Sequence, residues 1–426
     1  MGSIEVGSEA LRPTRTELDG LEILSRVRPA APLAGLLLVV GGLGLQWVLA
    51  RSPELVERVF ARGLYPLLGG RLGCLARLLP ISLGECIVLV LAGWLAVAFW
   101  RLARARERRP RLRRLRRAAL PVAAALYLAF LLLWGLNYQR QPFGVSAKLD
   151  VRPSSPDELA ALGTVLVDEA NQAREGLPED GTGVMRLVGG PFPALARAEA
   201  GFRRAASLYP LLAGCPARPK PLLTSIVFSW LGVTGIYFPF TGEPNVNMTL
   251  PDPELPFAAA HEIVHQRGFA REDEANYLGY LACRLHPDPD FRYSGRLAAS
   301  VYAVNALAAL DRAAGERLEA RRSPGVRRDL AALVAWAERY RGPAERVSQR
   351  VNDAYLRSQG EAQGVRSYGR VVDLLLAERR ARPSSVCPQR PWTPSSAQGD
   401  GPPVGHDLTC RGIGYTLERC PCLHDG

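Results

Sequence analysis

HEIVHQRGFAREDEAN, residues 261–276, holds two of the chain's five histidines and four acidic residues in sixteen positions. On a helix, positions i and i+4 lie on one face, so His261 and His265 point the same way and their imidazoles can share one ion. Glu262 projects to the side of that face, within reach of a water on such an ion. This is the HExxH arrangement, in which Zn2+ lowers the pKa of a water and the glutamate takes its proton. With five histidines in 426 residues, chance alone seldom produces that spacing.

The flanks support the reading. LPFAAAHEIVH predicts a buried helix: Pro256 suits a first helical turn, and Phe257, Ala260, Ile263 and Val264 form an apolar face. Gly268 can end the helix in a left-handed turn. The chain then reverses and presents Glu272, Asp273 and Glu274 on a second helix. Glu272 is the predicted third ligand, because it shares a face with Asn276, which can hydrogen-bond a ligand histidine from outside the metal. Glu274 lies roughly 160° away around that helix and is the alternative ligand.

Upstream, residues 220–250 are rich in β-branched and aromatic residues punctuated by glycine and proline, and read as short strands and turns. A peptidase can bind its substrate by strand addition. FTGEPNVNMTL, residues 240–250, is the predicted edge strand, with Asn245 and Asn247 facing the cleft or capping a loop. Tyr237, Tyr368 and Arg370 have the chemistry of an oxyanion donor, with a structural role as the plain alternative for each. Helices are expected over about 155–213 and 293–379. Past residue 381 proline, glycine and serine dominate, which predicts disorder.

The N-terminal third differs in character. Residues 30–50, 81–100 and 118–136 are nearly uncharged and each long enough to cross a bilayer as a helix. Glu85 starts the second at interface depth. Pro121 falls in the first turn of the third. Trp47, Trp100 and Trp134 stand near span ends as interfacial anchors. The connection at 101–117 carries ten arginines against one glutamate and is expected on the cytoplasmic side. The chain beyond residue 137 is then extracytoplasmic, with Asn137, Tyr138 and Arg140 packing it onto the membrane surface. Five arginines against two glutamates in the outer connection, 51–79, pull the other way.

The net charge of +12 comes almost wholly from arginine, with Lys148 and Lys220 the only lysines. No basic patch interleaved with aromatics accompanies it, so nucleic acid is not an expected partner. Eight cysteines without paired spacing form no small-domain disulfide framework, and the spacing of those in the tail matches no standard zinc pattern.

HEIVHQRGFAREDEAN, together with WGLNYQRQPF after the third span, GVTGIYFPFTGEPNVN before the motif and GVRSYGRVVDLLLA near the end, resembles the DUF3810 family over about residues 30–380. The resemblance implies a three-span anchor and a domain like the zincin metallopeptidases. The ExxAN segment also resembles the ExxAD segment of membrane peptidases that process prenylated proteins, where the first glutamate binds zinc. That maps onto Glu272 and Asn276, with asparagine a departure from aspartate.

The expected architecture is mostly α: a cytoplasmic segment 1–29, a membrane domain 30–136, a zincin-like α+β domain 137–380 with a small strand region before the HExxH helix, and a tail 381–426. The expected function is that of a multi-pass zinc metallopeptidase of the gluzincin kind. His261, His265 and Glu272 hold Zn2+, Glu262 is the base, and the substrate is a peptide or protein. The alternative is a non-catalytic membrane interaction protein that retains a structural metal.

Overall fold

A computed structural model describes residues 31–105, 108–361 and 370–381. The segment 1–29, Tyr368 and the tail with its four cysteines and two histidines lie outside the described residues. The described chain is mostly helical with one three-stranded sheet.

Three helices are long and apolar enough to cross a membrane: α1 (Ala31–Leu49), α2 (Leu83–Arg104) and α3 (Arg108–Leu133). The predicted spans fall on them, with one difference. The basic stretch is itself helical, because arginine is a good helix former and Pro110 sits in a first turn that tolerates it. Pro121 is therefore inside α3 and not in its first turn.

Two compact units divide the chain. In the first, residues 31–51 and 88–132, small residues let α1 and α3 touch. A Cβ on Gly35 would lie 2.9 Å from the Pro121 nitrogen, and one on Gly42 would lie 2.7 Å from the Tyr127 ring. Tyr127 Oη donates to Gln46 Oε1 at 3.3 Å. Glycines two helical turns apart, facing another helix, are a usual solution where lipid removes the hydrophobic drive for helix association. Leu36, Leu37, Val40, Val90 and Phe99 remain exposed. Trp47 and Trp100 are exposed too, with Arg51 and Arg104 guanidinium groups 3.3 and 4.3 Å from their ring centroids, as suits an interface.

The second unit joins Ser52–Ile87 to everything from Leu133 onward. This redraws the boundary expected at 136/137, because the connection between the first two spans is folded into the unit that carries the HExxH helix. Residues 53–76 wind as helix, with π turns over Val56–Leu64 and Pro66–Gly70. Arg140 holds Glu57 with two bonds, Nε to Oε2 at 2.9 Å and Nη2 to Oε1 at 3.1 Å. A Cβ on Gly73 would overlap the Gln266 side chain and the Gly242 carbonyl. Cys74 and Cys215 form a disulfide across 141 residues, with Cα atoms 5.8 Å apart. Isolated cysteines gave no sequence sign of this pairing.

The body of the second unit is helical. In α4 (Pro156–Arg174), Ser155 Oγ accepts from Glu158 N and Glu158 accepts from Ser155 N, a reciprocal cap that fixes the start predicted there. Leu159, Leu162, Leu166 and Val167 bury one face. The sheet follows: β1 (Lys220–Pro221), β2 (Gly235–Phe238) and β3 (Glu243–Val246), in the order β1-β3-β2. β1 runs parallel to β3 and β2 antiparallel to it, with Ile236 opposite Asn245. The predicted edge strand is thus the central one, fully buried, and β2 is an edge. Next come α5 (Leu255–Gln266), α6 (Glu272–Arg284) and α7 (Pro289–Leu310), which packs along α4. α8 (Pro324–Tyr340), α9 (Pro343–Ser358) and α10 (Val371–Ala381) complete the described chain.

The Glu57–Arg140 pair offers a test of the redrawn boundary. Both side chains are buried. Burial by itself raises the Glu57 pKa, but the bonds and charges of Arg140 and Arg62 outweigh it and hold the carboxyl below its ordinary 4.5. Removing one partner of a buried pair costs about 3–5 kcal/mol. Glu57→Ala is expected to destabilise the second unit by that order in chemical denaturation of the full-length protein. Because its folded pKa is depressed, Glu57 stabilises fully above the unfolded carboxyl's pKa, and that gain fades as pH falls below it. A neutral result at pH 7 would mean the connection is not part of the fold.

Candidate metal centre

The site begins with how α5 ends. Gly268 has φ +81°, and its N–H donates to the His265 carbonyl at 2.9 Å. The Phe269 N–H donates to the Val264 carbonyl at 3.3 Å. These two bonds are the Schellman pattern, and buried Val264 and Phe269 supply its apolar contact. A Cβ at 268 would also lie 2.8 Å from the Tyr65 ring, so glycine is required twice over. The turn leaves the Phe269 carbonyl 2.8 Å from His265 Nδ1. A carbonyl only accepts, so Nδ1 carries the proton and Nε2 keeps its lone pair.

The turn delivers α6 back along α5. Gly279 permits the approach, since a Cβ there would lie 3.3 Å from the His261 nitrogen. His261 Nδ1 donates to Asn276 Oδ1 at 2.9 Å, the contact expected from the face Asn276 shares with Glu272. The ring centroids of His261 and His265 are 4.6 Å apart. Glu272 Oε2 lies 3.2 Å from His261 Nε2 and 3.8 Å from His265 Nε2. One ligand atom from each of the three residues falls within 4.8 Å of the others. Two imidazole nitrogens with fixed tautomers and one carboxylate oxygen, turned toward a common point, are a donor set that fits a divalent cation such as zinc. Glu274 is turned elsewhere: its Oε1 accepts from Phe143 N at 2.7 Å and lies 3.7 Å from Arg271 Nη1.

Electrostatics follow burial. Burial pulls the His265 pKa down to about 4 against the charge of Glu272, so this imidazole is neutral at pH 7. Burial acts the same way on His261, but the Glu272 hydrogen bond and charge outweigh it and raise its pKa. Glu262 is buried, and its Oε2 has no hydrogen-bond partner. Burial, with help from Glu272 and opposition from His261, pushes its pKa up to about 8. Gly235 at the start of β2 covers it: a Cβ there would lie 2.6 Å from Glu262 Oε1.

The other predicted residues have structural partners. Tyr237 Oη pairs with Tyr65 Oη at 3.1 Å, and Tyr65 Oη donates to the carbonyls of His265 and Gln266. Asn245 Nδ2 donates to the carbonyls of Ile236 and Glu243 within the sheet. Asn247 caps a loop, donating to Ser229 Oγ and Val233 O and accepting from Thr249. Arg370 pairs with Glu361 at 2.7 Å and Asp273 at 3.4 Å. Asn245 Oδ1 and Arg370 Nε are nonetheless buried without a hydrogen-bond partner.

Several residues of the site carry no motif. Trp134 is buried, not lipid-facing as an anchor would be. Its ring packs 5.4 Å from that of His265 and 4.9 Å from that of Tyr237, and its Nε1 donates to Tyr355 Oη at 2.9 Å. Burial pushes the Tyr355 pKa up to about 12 against its hydrogen bonds with Tyr138 and Trp134, so its hydroxyl stays protonated at pH 7. Arg140 Nη1 donates to the Gly268 carbonyl at 2.7 Å, and its guanidinium lies 4.2 Å from the Phe269 ring centroid. It thereby holds the turn that holds His265.

The chain matches the family described as a protein of unknown function, DUF3810, over residues 60–376, more than half its length. No curated protein and no solved structure matches.

If Asn276 orients a ligand, its loss should weaken metal binding without unfolding the chain. Asn276→Ala is expected to lower zinc affinity about 10- to 100-fold in a competition titration with a chelator. An unchanged affinity would remove it from the site.

Proposed function

Because the chain belongs to the DUF3810 family, whose function is unknown, its activity rests on its own residues, and we propose a membrane-anchored, zinc-dependent hydrolase acting on peptide or protein. The observation that carries this reading is the convergence of His261, His265 and Glu272 beside a buried glutamate with an unpaired oxygen. A structural metal site has no use for such a base. The helix, turn and second helix that carry these residues, with a small sheet against the first, support a zincin-like domain.

In this reading His261, His265 and Glu272 hold the metal, with Asn276 and the Phe269 carbonyl fixing both imidazoles. Zinc held there supplies Lewis acidity to polarise a scissile carbonyl and acidify water. Glu262 accepts the proton of the attacking water and passes it to the leaving amine. Glu262, its pKa raised by burial, would be favoured in the charged form that a base needs if a cation were held beside it. β2, with Gly235 over Glu262, replaces 240–250 as the strand along which a peptide lies.

An extracytoplasmic site follows from two independent signs. The arginine-rich connection between the second and third spans belongs in the cytoplasm. The Cys74–Cys215 disulfide belongs in an oxidising compartment. Both support an outer location for Ser52–Ile87 and the chain after Leu133.

Metal content decides the reading first. Near one zinc per chain is expected by mass spectrometry of the purified protein, lost in His265→Ala and Glu272→Ala and kept in Glu274→Gln. Glu262→Gln is expected to keep the zinc and to lose peptide hydrolysis by about 10²- to 10⁴-fold. Absence of metal from well-folded wild type, even after zinc is added back, would end the hydrolase reading. Full biological function in Glu262→Gln would favour the structural-metal alternative.

A further inference from the structure

The short helix Ser225–Trp230 is built inside out. Its polar residues face the protein: Ser225 Oγ donates to the Leu222 carbonyl and accepts from Met248 N, while Ser229 Oγ bonds Ser225 O, Asn247 and Thr249. Its apolar residues face outward. Leu223, Ile226, Val227 and Trp230 are 70, 61, 54 and 59% exposed. Water selects the opposite arrangement, and a contiguous apolar patch of this kind marks an interaction surface.

The attachment of this helix says what covers it. Glu85, in the first turn of α2, accepts from the N–H of Leu223 at 2.8 Å and of Thr224 at 2.6 Å, and from the Thr224 hydroxyl. Glu243 of β3 accepts from Leu83 N at 3.1 Å and Gly84 N at 2.8 Å, capping the same helix start. Phe238, at the end of β2, lies so close to Gly84 that a Cβ there would be 2.5 Å from its ring. The first turn of an apolar helix of membrane-spanning length lies at the boundary between headgroups and acyl chains. The exposed side chains of this segment, whose Leu223 and Thr224 N–H groups bond that turn, are therefore held near the same depth. Leu78 and Ile81, exposed just before α2, extend the apolar surface along the chain.

We propose that Leu223, Ile226, Val227 and Trp230 form a lipid-contact face that seats the metal-bearing unit in the bilayer interface. The seat lies close to the metal centre. β2 begins over Glu262 and ends over Gly84, and three steps of a strand span about 10 Å. The proposal goes beyond the hydrolase reading and does not depend on it. A second copy of the chain or a protein partner is the competing occupant of the same face.

The test uses the full-length protein in nanodiscs of phosphatidylethanolamine and phosphatidylglycerol. A photo-reactive benzoylphenylalanine replaces Ile226, Trp230 or, as a reference within α2, exposed Val90. Adducts are identified by mass spectrometry, and zinc content is measured on the same samples. Lipid adducts at 226 and 230, at yields within about threefold of those at 90, are expected. Lipid adducts at 90 with none at 226 and 230, or protein adducts at those two positions, would overturn the proposal. Absent zinc with lipid adducts intact would count against the hydrolase reading alone, so the two failures separate.

Discussion

The turn at Gly268 is the constraint on which the rest depends. It must stop α5 just past the two histidines, point a carbonyl at His265, and return the chain so that Glu272 meets both imidazoles. A left-handed glycine does the first. The Phe269 carbonyl does the second, and the register of α6 does the third. The surroundings over-determine the turn: Tyr65 fills the space a Cβ would need, and Arg140 holds the Gly268 carbonyl while Glu57 holds Arg140. A metal site asks for rigid ligands, and here rigidity comes from closing a helix and not from the ligands themselves.

What could be read in the sequence was local in the chain. The spans, the cap at Ser155, the helix over 255–266, the turn at Gly268 and the pairing of Asn276 with a ligand histidine all rest on residues within a few positions of each other. Glu272 over Glu274 follows from helical geometry alone, and the bond of Glu274 to Phe143 N agrees. The strand region was legible in place but not in order. Nothing in FTGEPNVNMTL says that β3 lies between β1 and β2, because sheet order is set by partners 5 to 25 residues away.

What could not be read was distant. Trp134 had every mark of an interfacial anchor, since it ends a span, yet its ring is part of the wall behind His265. Tyr355 sits in an amphipathic helix about eighty residues past the motif, with no neighbour in sequence that hints at Glu272. Glu57, Tyr65 and Cys74 lay in what looked like a connector between two spans. Their partners, Arg140, Tyr237 and Cys215, lie 83, 172 and 141 residues further on. Periodicity and spacing carry no information at that range. The helix 225–230 is a different case: its outward apolar face is visible in the sequence only once a structure shows which face is inward.

The threading of Ser52–Ile87 into a unit whose other parts begin at Leu133 has a consequence in time. The segment leaves the ribosome early, and Arg140, Cys215 and the turn at Gly268 follow in that order. At about 5–20 residues per second, roughly 10 to 40 s separate residue 87 from residue 270. Glu57 waits for Arg140 with only Arg62 as partner, Cys74 stays a thiol until Cys215 emerges, and Tyr65 waits longer still for Tyr237. Maturation of this protein is therefore a matter of schedule. The two parts of this unit must come together across that delay, before the earlier part finds something else to bind.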